Sequence, residues 1–428
     1  MSLKFNLHDC KKLTYNGKPV SKGYINGKIF YTSSLKNIIS YGNSEAFSEE
    51  ELYVYTSEDL VNWSKYDFDF YITSITNIED VFFANKLKKV NDRYKFDKLI
   101  ISSNAIDWND ASEIYNNIRS NYIKTKYCGK FSDGYNYFTF NNGIYKTLDF
   151  INFEYCSNPN SQRVVVFNDK LIGVRMISAG YLIDTTQVIY STNGVDWTII
   201  LSRTDSKSGS TYNRYYINSI KVEKDICYFM MSYTNSRHDV KTKYCDNAIY
   251  VSKDGVNFNN VFTYTLNLPF DSGEPNQAIP DIKIFYSNHF YHIGCKISLN
   301  LPETYIYKFY YSVDLTNFIE IQSLSNEMNQ HRWFPSDMFF ANSKWHLFFL
   351  NNDSLDEAEF ISDDGFTWNK SDSEKYLIGN IGNKIFFADS KYSECVNKIS
   401  ITENFEHYNY CNFDIKPGYP HAIDIIII

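Results

Sequence analysis

Apolar residues in this chain come in short bursts, each cut off by a polar break. Gln162–Ser202 holds four of them: "QRVVVFNDK", "LIGVRMIS", "QVIYST" and "WTIILS". Val, Ile, Tyr and Phe in runs this short favour strands over helices. Residues 279–322 repeat the scheme as "IPDIKIFYSN", "HFYHIGCKIS", "YIYKFYYS" and "FIEIQ", and residues 333–370 repeat it again. The pattern predicts four short antiparallel strands per segment.

Between the third and fourth burst sits a recurring heptapeptide. It reads "STNGVDW" at Ser191–Trp197, "SKDGVNF" at Ser252–Phe258 and "SDDGFTW" at Ser362–Trp368. The template is Ser or Thr, any residue, Asp or Asn, often Gly, an apolar residue, a polar one, then an aromatic. Five further copies follow it: "SEDLVNW" from Ser57, "SSNAIDW" from Ser102, "TLDFINF" from Thr147, "SVDLTNF" from Ser312 and the looser "TENFEHY" from Thr402. The starts are spaced by about 49 residues on average, within the range of propeller blade repeats. Position three is Asp59, Asn104, Asp149, Asn193, Asp254, Asp314, Asp364 and Asn404. Position seven is Trp63, Trp108, Phe153, Trp197, Phe258, Phe318, Trp368 and Tyr408, and so takes four of the six tryptophans.

The chemistry of a turn accounts for the template. The Asp or Asn oxygen accepts from an N–H two residues on, and the hydroxyl at position one adds a local bond. Gly194, Gly255 and Gly365 at position four allow a left-handed backbone. The other copies carry Leu60, Ala105, Phe150, Leu315 or Phe405 there, which predicts either a negative φ or strain. The aromatic is expected to fold back between sheets as a structural group.

Four-stranded units repeated in a ring describe an eight-bladed β-propeller. The expectation is one all-β domain over 1–428, with approximate units 1–66, 67–112, 113–157, 158–203, 204–266, 267–323, 324–373 and 374–428. The turns resemble the Asp-box, or BNR-type, repeat of sialidase-like propellers, Ser-x-Asp-x-Gly-x-Thr-Trp, although they are one residue shorter between Asp and Trp. The resemblance runs from about Lys18 to Phe413. It implies the propeller fold, with each box between the third and fourth strands of a blade. It implies no activity, because such boxes serve enzymes and binding proteins alike. Leu3–Cys10 and Ala422–Ile428 also read as strands, and one of them is expected to close the ring by pairing with a blade from the other end of the chain.

The net charge of −8 argues against nucleic acid as a partner. No apolar run is long enough to insert in a bilayer, and the N-terminus lacks the apolar core of a secretion signal, so synthesis without export is expected. The 8 cysteines are scattered singly, with no C-x-x-C pair. His289, His292 and Cys295 in "HFYHIGC" would alternate faces on a strand, and no metal site is expected. Phosphate- and dinucleotide-binding glycine motifs are missing too, so no cofactor is expected.

A glycosidase reading rests on the likeness of "SEDLVNW" to turns of five-bladed glycoside hydrolases, whose carboxylates sit near the start of innermost strands. Asp80, Asp281 and Asp337 occupy comparable places here, with Arg163 at another. Eight blades enclose a wider channel, where such acids are expected to be solvated, so no catalytic residue is assigned. The longest repeats carry polar, aromatic-containing insertions, "RTDSKSGSTYNR", "MSYTNSRHDVKTKYCDN" and "LNLPFDSGEPNQAIP", which suit a contact surface. "SGSTYN" within the first reads as a surface loop. Unexported propellers with divergent boxes look like components of phage tails or tail-like bacteriocins. That likeness implies a non-catalytic structural or receptor-binding subunit, partnered by other particle proteins and a cell-surface glycan. The alternatives are a glycoside hydrolase of propeller type and a free-standing glycan- or protein-binding propeller.

Overall fold

The computed structural model describes most of residues 125–372 and 376–410, separate strand segments between 14 and 110, and 423–426. Apart from one helix, the regular structure of these residues is antiparallel β-sheet. The chain divides into two compact units, Met1–Ala111 with Leu377–Ile428, and Ser112–Tyr376.

The 112–376 unit holds five consecutive sheets in which spatial order follows chain order. They span 125–157, 163–204, 206–269, 278–320 and 333–370. Four have four strands; the 206–269 sheet gains a fifth, Ser206–Ser208. The leading strands touch in sequence: Thr125–Lys130 meets Arg163–Val166, which meets Thr211–Glu223, then Ala278–Ser287, then Trp333–Ala341. Both faces of the interior sheets are therefore buried. In Ile226–Arg237, Tyr228 and Met230 pack toward Ile282, Ile284 and Ile293 of the next sheet. Phe229 and Met231 pack the other way, against Ile172, Val174 and Val188. Strand alternation thus fills two interfaces with one run of apolar residues, which explains the unbroken apolar bursts.

The other unit contains a 71–110 sheet, a 376–410 sheet and a composite sheet in the order Ile423–Ile426, Asn37–Tyr41, Tyr53–Ser57, Ser64–Asp67. Ile425 lies opposite Ile39 and Asp424 opposite Ser40. Of the two expected end strands, the C-terminal one therefore does pair with the beginning of the chain. Leu3–Cys10 lies outside the described residues. Two small hairpins precede this sheet, Thr14–Tyr15 with Lys18–Pro19 and Lys22–Ile25 with Lys28–Thr32.

Two segments differ from the sequence reading. "SGSTYN" is part of a hairpin, with Ser208 opposite Thr211, and the extra residues of its repeat lengthen strands to between 11 and 13 residues. The helix Gln322–His331 was not expected. Only Leu324 and Met328 supply its apolar stripe, too little for a periodic signal. It covers the stretch of edge that the fourth strand leaves. The fourth strand of its sheet, Ile319–Glu320, is only 2 residues long. Asn329 of the helix receives the Tyr307 N–H (3.0 Å) and donates to the Tyr307 carbonyl (2.8 Å), while Ser325 Oγ receives the Phe309 N–H. The helix thereby caps an edge that would otherwise be open.

Candidate functional site

Six of the eight heptapeptides lie wholly among the described residues, and all six make the same backbone hydrogen bonds. The hydroxyl at position one accepts the N–H of position four, at 2.8 Å from Gly194 and 3.0 Å from Phe405. The position-three oxygen accepts the N–H groups of positions five and six. For Asp254 these bonds, from Val256 and Asn257, are both 2.8 Å; for Asn404, in the loosest copy, they are 3.1 and 3.2 Å. Asp149, Asn193, Asp314 and Asp364 repeat the arrangement. These N–H donors hold the Asp149 and Asp364 carboxyls down at about 2, and lower Asp254 still further. Asp59, Trp63 and Asn104 lie outside the described residues, whereas Trp108 is described and half-buried.

Position four is left-handed in all six described copies. φ is +76° to +79° at Gly194, Gly255 and Gly365, and +60° or +61° at Phe150, Leu315 and Phe405. The three described non-glycine copies therefore carry strain instead of escaping to negative φ, while Leu60 and Ala105 lie outside the described residues. What decides the residue is the neighbouring sheet. A Cβ on Gly255 would lie 2.7 Å from Ile172, and one on Gly194 3.2 Å from Tyr137. Leu315 instead packs into the core beside Ile226 and Ile249, so its burial offsets the backbone cost.

Position six completes the ring, a partner the template left only as "polar". Asn257 Nδ2 donates to Asp254 Oδ2, and Asn152 and Asn317 do the same to Asp149 and Asp314. In the Ser191 turn the roles are exchanged, with Asn193 donating to Asp196. The sequence carries this signal: Asn104, too, is followed three residues on by an acid, Asp107.

The aromatics at position seven meet structural partners. Trp368 is buried and donates its indole N–H to the Gly365 carbonyl at 3.1 Å. Trp197 is half-buried and donates to Ser157 Oγ of the preceding sheet at 3.0 Å. Phe318 stacks on Phe262, Phe258 meets Phe229 at a tilt, and Phe153 and Tyr408 meet Phe138 and Phe387 edge to face.

The second cluster of chemistry runs along the leading strands of the 112–376 unit. Asp281 and Asp337 fall there, as the glycosidase reading requires; Asp80 lies outside the described residues. Asp281 is bound by Lys221 of the preceding sheet at 2.9 Å, and the same ammonium donates to the Ile282 carbonyl at 2.6 Å. Lys283 donates to the Ser336 carbonyl of the following sheet and sits in the field of Asp337 and Glu223. Burial pushes the Asp337 and Glu223 carboxyls up, and burial lowers Lys283. Glu223 also receives the Tyr286 N–H at 3.4 Å. Arg163 donates to the carbonyl and side chain of Asn218. Asn218 and Ser336 both lie in bulges where ladder pairing is interrupted. A cation from one sheet thus satisfies a carbonyl left free by a bulge in the next. Glu223 and Lys283 were missed because nothing in their spacing marks them; they meet only through the contact of adjacent sheets.

The histidine motif does not form a ligand set. His289 lies in a turn at φ +69°, and His292 is buried with Nε2 3.1 Å from the Gly365 carbonyl. A carbonyl only accepts, so Nε2 carries the proton. Burial holds the imidazole down to about 4, hence neutral, and burial pushes the Cys295 thiol up. Among the described residues no group of three or more His, Cys, Asp or Glu could hold a metal ion.

No family model matches the chain, and no curated protein matches it. Among solved structures it is similar to Pyrococcus horikoshii acylaminoacyl peptidase, at 10% identity and TM-score 0.37, over 78% of this chain and 51% of that one. It is also similar to the Bombyx mori GH32 beta-fructofuranosidase BmSUC1, at 11% and 0.28, over 83% and 86%. A third is the endo-arabinase from Bacteroides thetaiotaomicron, at 11% and 0.27, over 58% and 92%. The chain spans about half the length of the peptidase. Likenesses this loose leave the functional reading to the geometry.

Proposed function

We propose that the chain is an eight-bladed propeller that works without catalysis, as a structural or glycan-binding subunit of a phage tail or tail-like bacteriocin particle. Eight box sequences and, among the described residues, eight sheets of four or five strands support the blade count. The observation that carries the non-catalytic reading is the Lys221–Asp281 ion pair. An acid–base pair needs carboxyls free to reach substrate. Asp281 is instead neutralised from the adjacent strand, and Lys283 ties the next carbonyl while offsetting the charge of Asp337. These groups read as latches between sheets. The test has two arms. Purified protein is expected to release no reducing sugar from bacterial surface polysaccharide, and mass spectrometry of particles from the source strain is expected to find the chain among tail proteins. A monomeric protein absent from every particle would leave the free-standing binder.

One observation favours a glycoside hydrolase as second reading. Glu223 and Asp337 both have raised carboxyls, which is what a general acid requires. Sugar release by the native protein, abolished by Glu223→Gln or Asp337→Asn, would establish that reading and end the first.

A further inference from the structure

We infer that the long end of the 206–269 sheet is a saccharide-binding ledge built on Tyr215 and Tyr233. The inference rests on the binding reading above and names the ligand class and the place.

Four strands of this sheet run 13, 12, 11 and 11 residues, while those of the other sheets in the same unit run between 2 and 10. The added length is core on one face only in part, where Cys245 and Leu266 join the apolar cluster. The buried apolar residues of Ile226–Arg237 end at Met231, and polar residues and tyrosine continue beyond it.

On one face of that extension the ladder sets Tyr215 opposite Tyr233 and Asn213 opposite Asn235. The two rings lie 4.8 Å apart and all four side chains are half-buried, with Tyr215 packed on the core cluster that holds Ile172 and Val188. They are held in place by one another. Asn213 Oδ1 receives the Tyr233 hydroxyl at 2.9 Å and Asn235 Nδ2 at 2.7 Å, while Asn213 Nδ2 donates to Ser206 Oγ at 3.0 Å. Beneath them the buried Asp205 carboxylate receives the Tyr215 N–H at 2.8 Å. The fifth strand, present among the described residues of the unit in this sheet alone, supplies Ser206 and so belongs to the same construction.

Aromatic faces fixed among amides and hydroxyls match the two sides of a sugar, C–H groups on one and hydroxyls on the other. Preorganisation by the network removes part of the ordering cost of binding.

The experiment is isothermal titration calorimetry of the full chain with three neutral probes: oligomers of glucose, of galactose and of N-acetylglucosamine. Saturable binding of at least one is expected. Tyr215→Ala and Tyr233→Ala should each weaken it tenfold or more. Tyr233→Phe keeps the ring and loses the Asn213 bond, so it should weaken binding only a few-fold; it also serves as the control if an alanine variant misfolds. Absence of binding by all three, or wild-type affinity in Tyr215→Ala, would overturn the ledge. If the chain then captures only a protein from the particle, the ledge fails and the structural reading stands. Turnover of a probe would overturn the non-catalytic reading, while the ledge would still stand or fall with the alanine variants.

Discussion

The box turns and the row of leading strands both recur from sheet to sheet, and they are built by opposite means. Every described turn uses the same three backbone bonds from the same two side chains. Along the leading strands no two sheets use the same set: Arg163 reaches a bulge carbonyl, Lys221 pairs with Asp281, and Lys283 reaches Ser336 between two acids. A local motif closes on itself, so it can be copied without regard to its neighbours. A contact between sheets depends on two repeats at once, so it drifts.

The widest test of this contrast is the aromatic at position seven, where the motif does touch the core. Trp368→Ala is expected to cost about 3–5 kcal/mol, as for other buried aromatics. The half-buried Trp197 should cost about 1–3 kcal/mol. Chemical denaturation reads both, and equal losses would mean that burial is not what sets the value.

His292 ties a core to a turn through the Gly365 carbonyl. Its pKa falls from 6.5 to about 4 on folding, so the unfolded chain binds the proton more readily. Stability is then full above pH 6.5 and declines as the pH falls toward 4, by about 3 kcal/mol from this group. Unfolding midpoints across that window should show the slope, and His292→Phe should flatten it.

Position four separates two solutions to one strained backbone. Gly255→Ala is expected to cost about 1–3 kcal/mol, because φ is +78° and Ile172 stands 2.7 Å from the new carbon. Leu315→Gly relieves strain and loses a buried side chain. The lost burial outweighs the relief, so this variant too should be destabilised, by about 1–2 kcal/mol. A stabilised Leu315→Gly protein would show that strain outweighs burial there.

The smallest effect is the most specific. Asp254→Asn replaces the charged acceptor of three donors on Val256 and Asn257 by a neutral amide and should cost about 1 kcal/mol. Adding Asn257→Asp recreates the arrangement of Asn193 and Asp196 and should recover most of it. No recovery would reduce the position-six bond to a bystander.

This contrast also marks how far the sequence could be read. Strand segments such as 162–202 and the turn positions from Asp149 to Asn404 were legible because each is set by residues within a few positions of itself. Asp281 and Asp337 could be placed on leading strands for the same reason. Their partners Lys221 and Lys283 could not, since which residues meet across two sheets depends on bulges at Asn218 and Ser336 that no local pattern announces. The helix Gln322–His331 was hidden because its purpose, covering an edge, is fulfilled by Asn329 and Ser325 and not by an apolar stripe.

The pairing of Ile423–Ile426 with Asn37–Tyr41 sets a schedule for biosynthesis. A ribosome adds roughly 5–20 residues per second. The sheet begun near residue 37 therefore waits tens of seconds for its last strand, with one side unpaired, while all the intervening sheets emerge and fold. During that interval the nascent chain offers an edge to any other nascent chain on the same message. A chaperone that shields the edge, or a slow start to folding of the first sheet, would raise the yield of native protein more than any change in the finished fold.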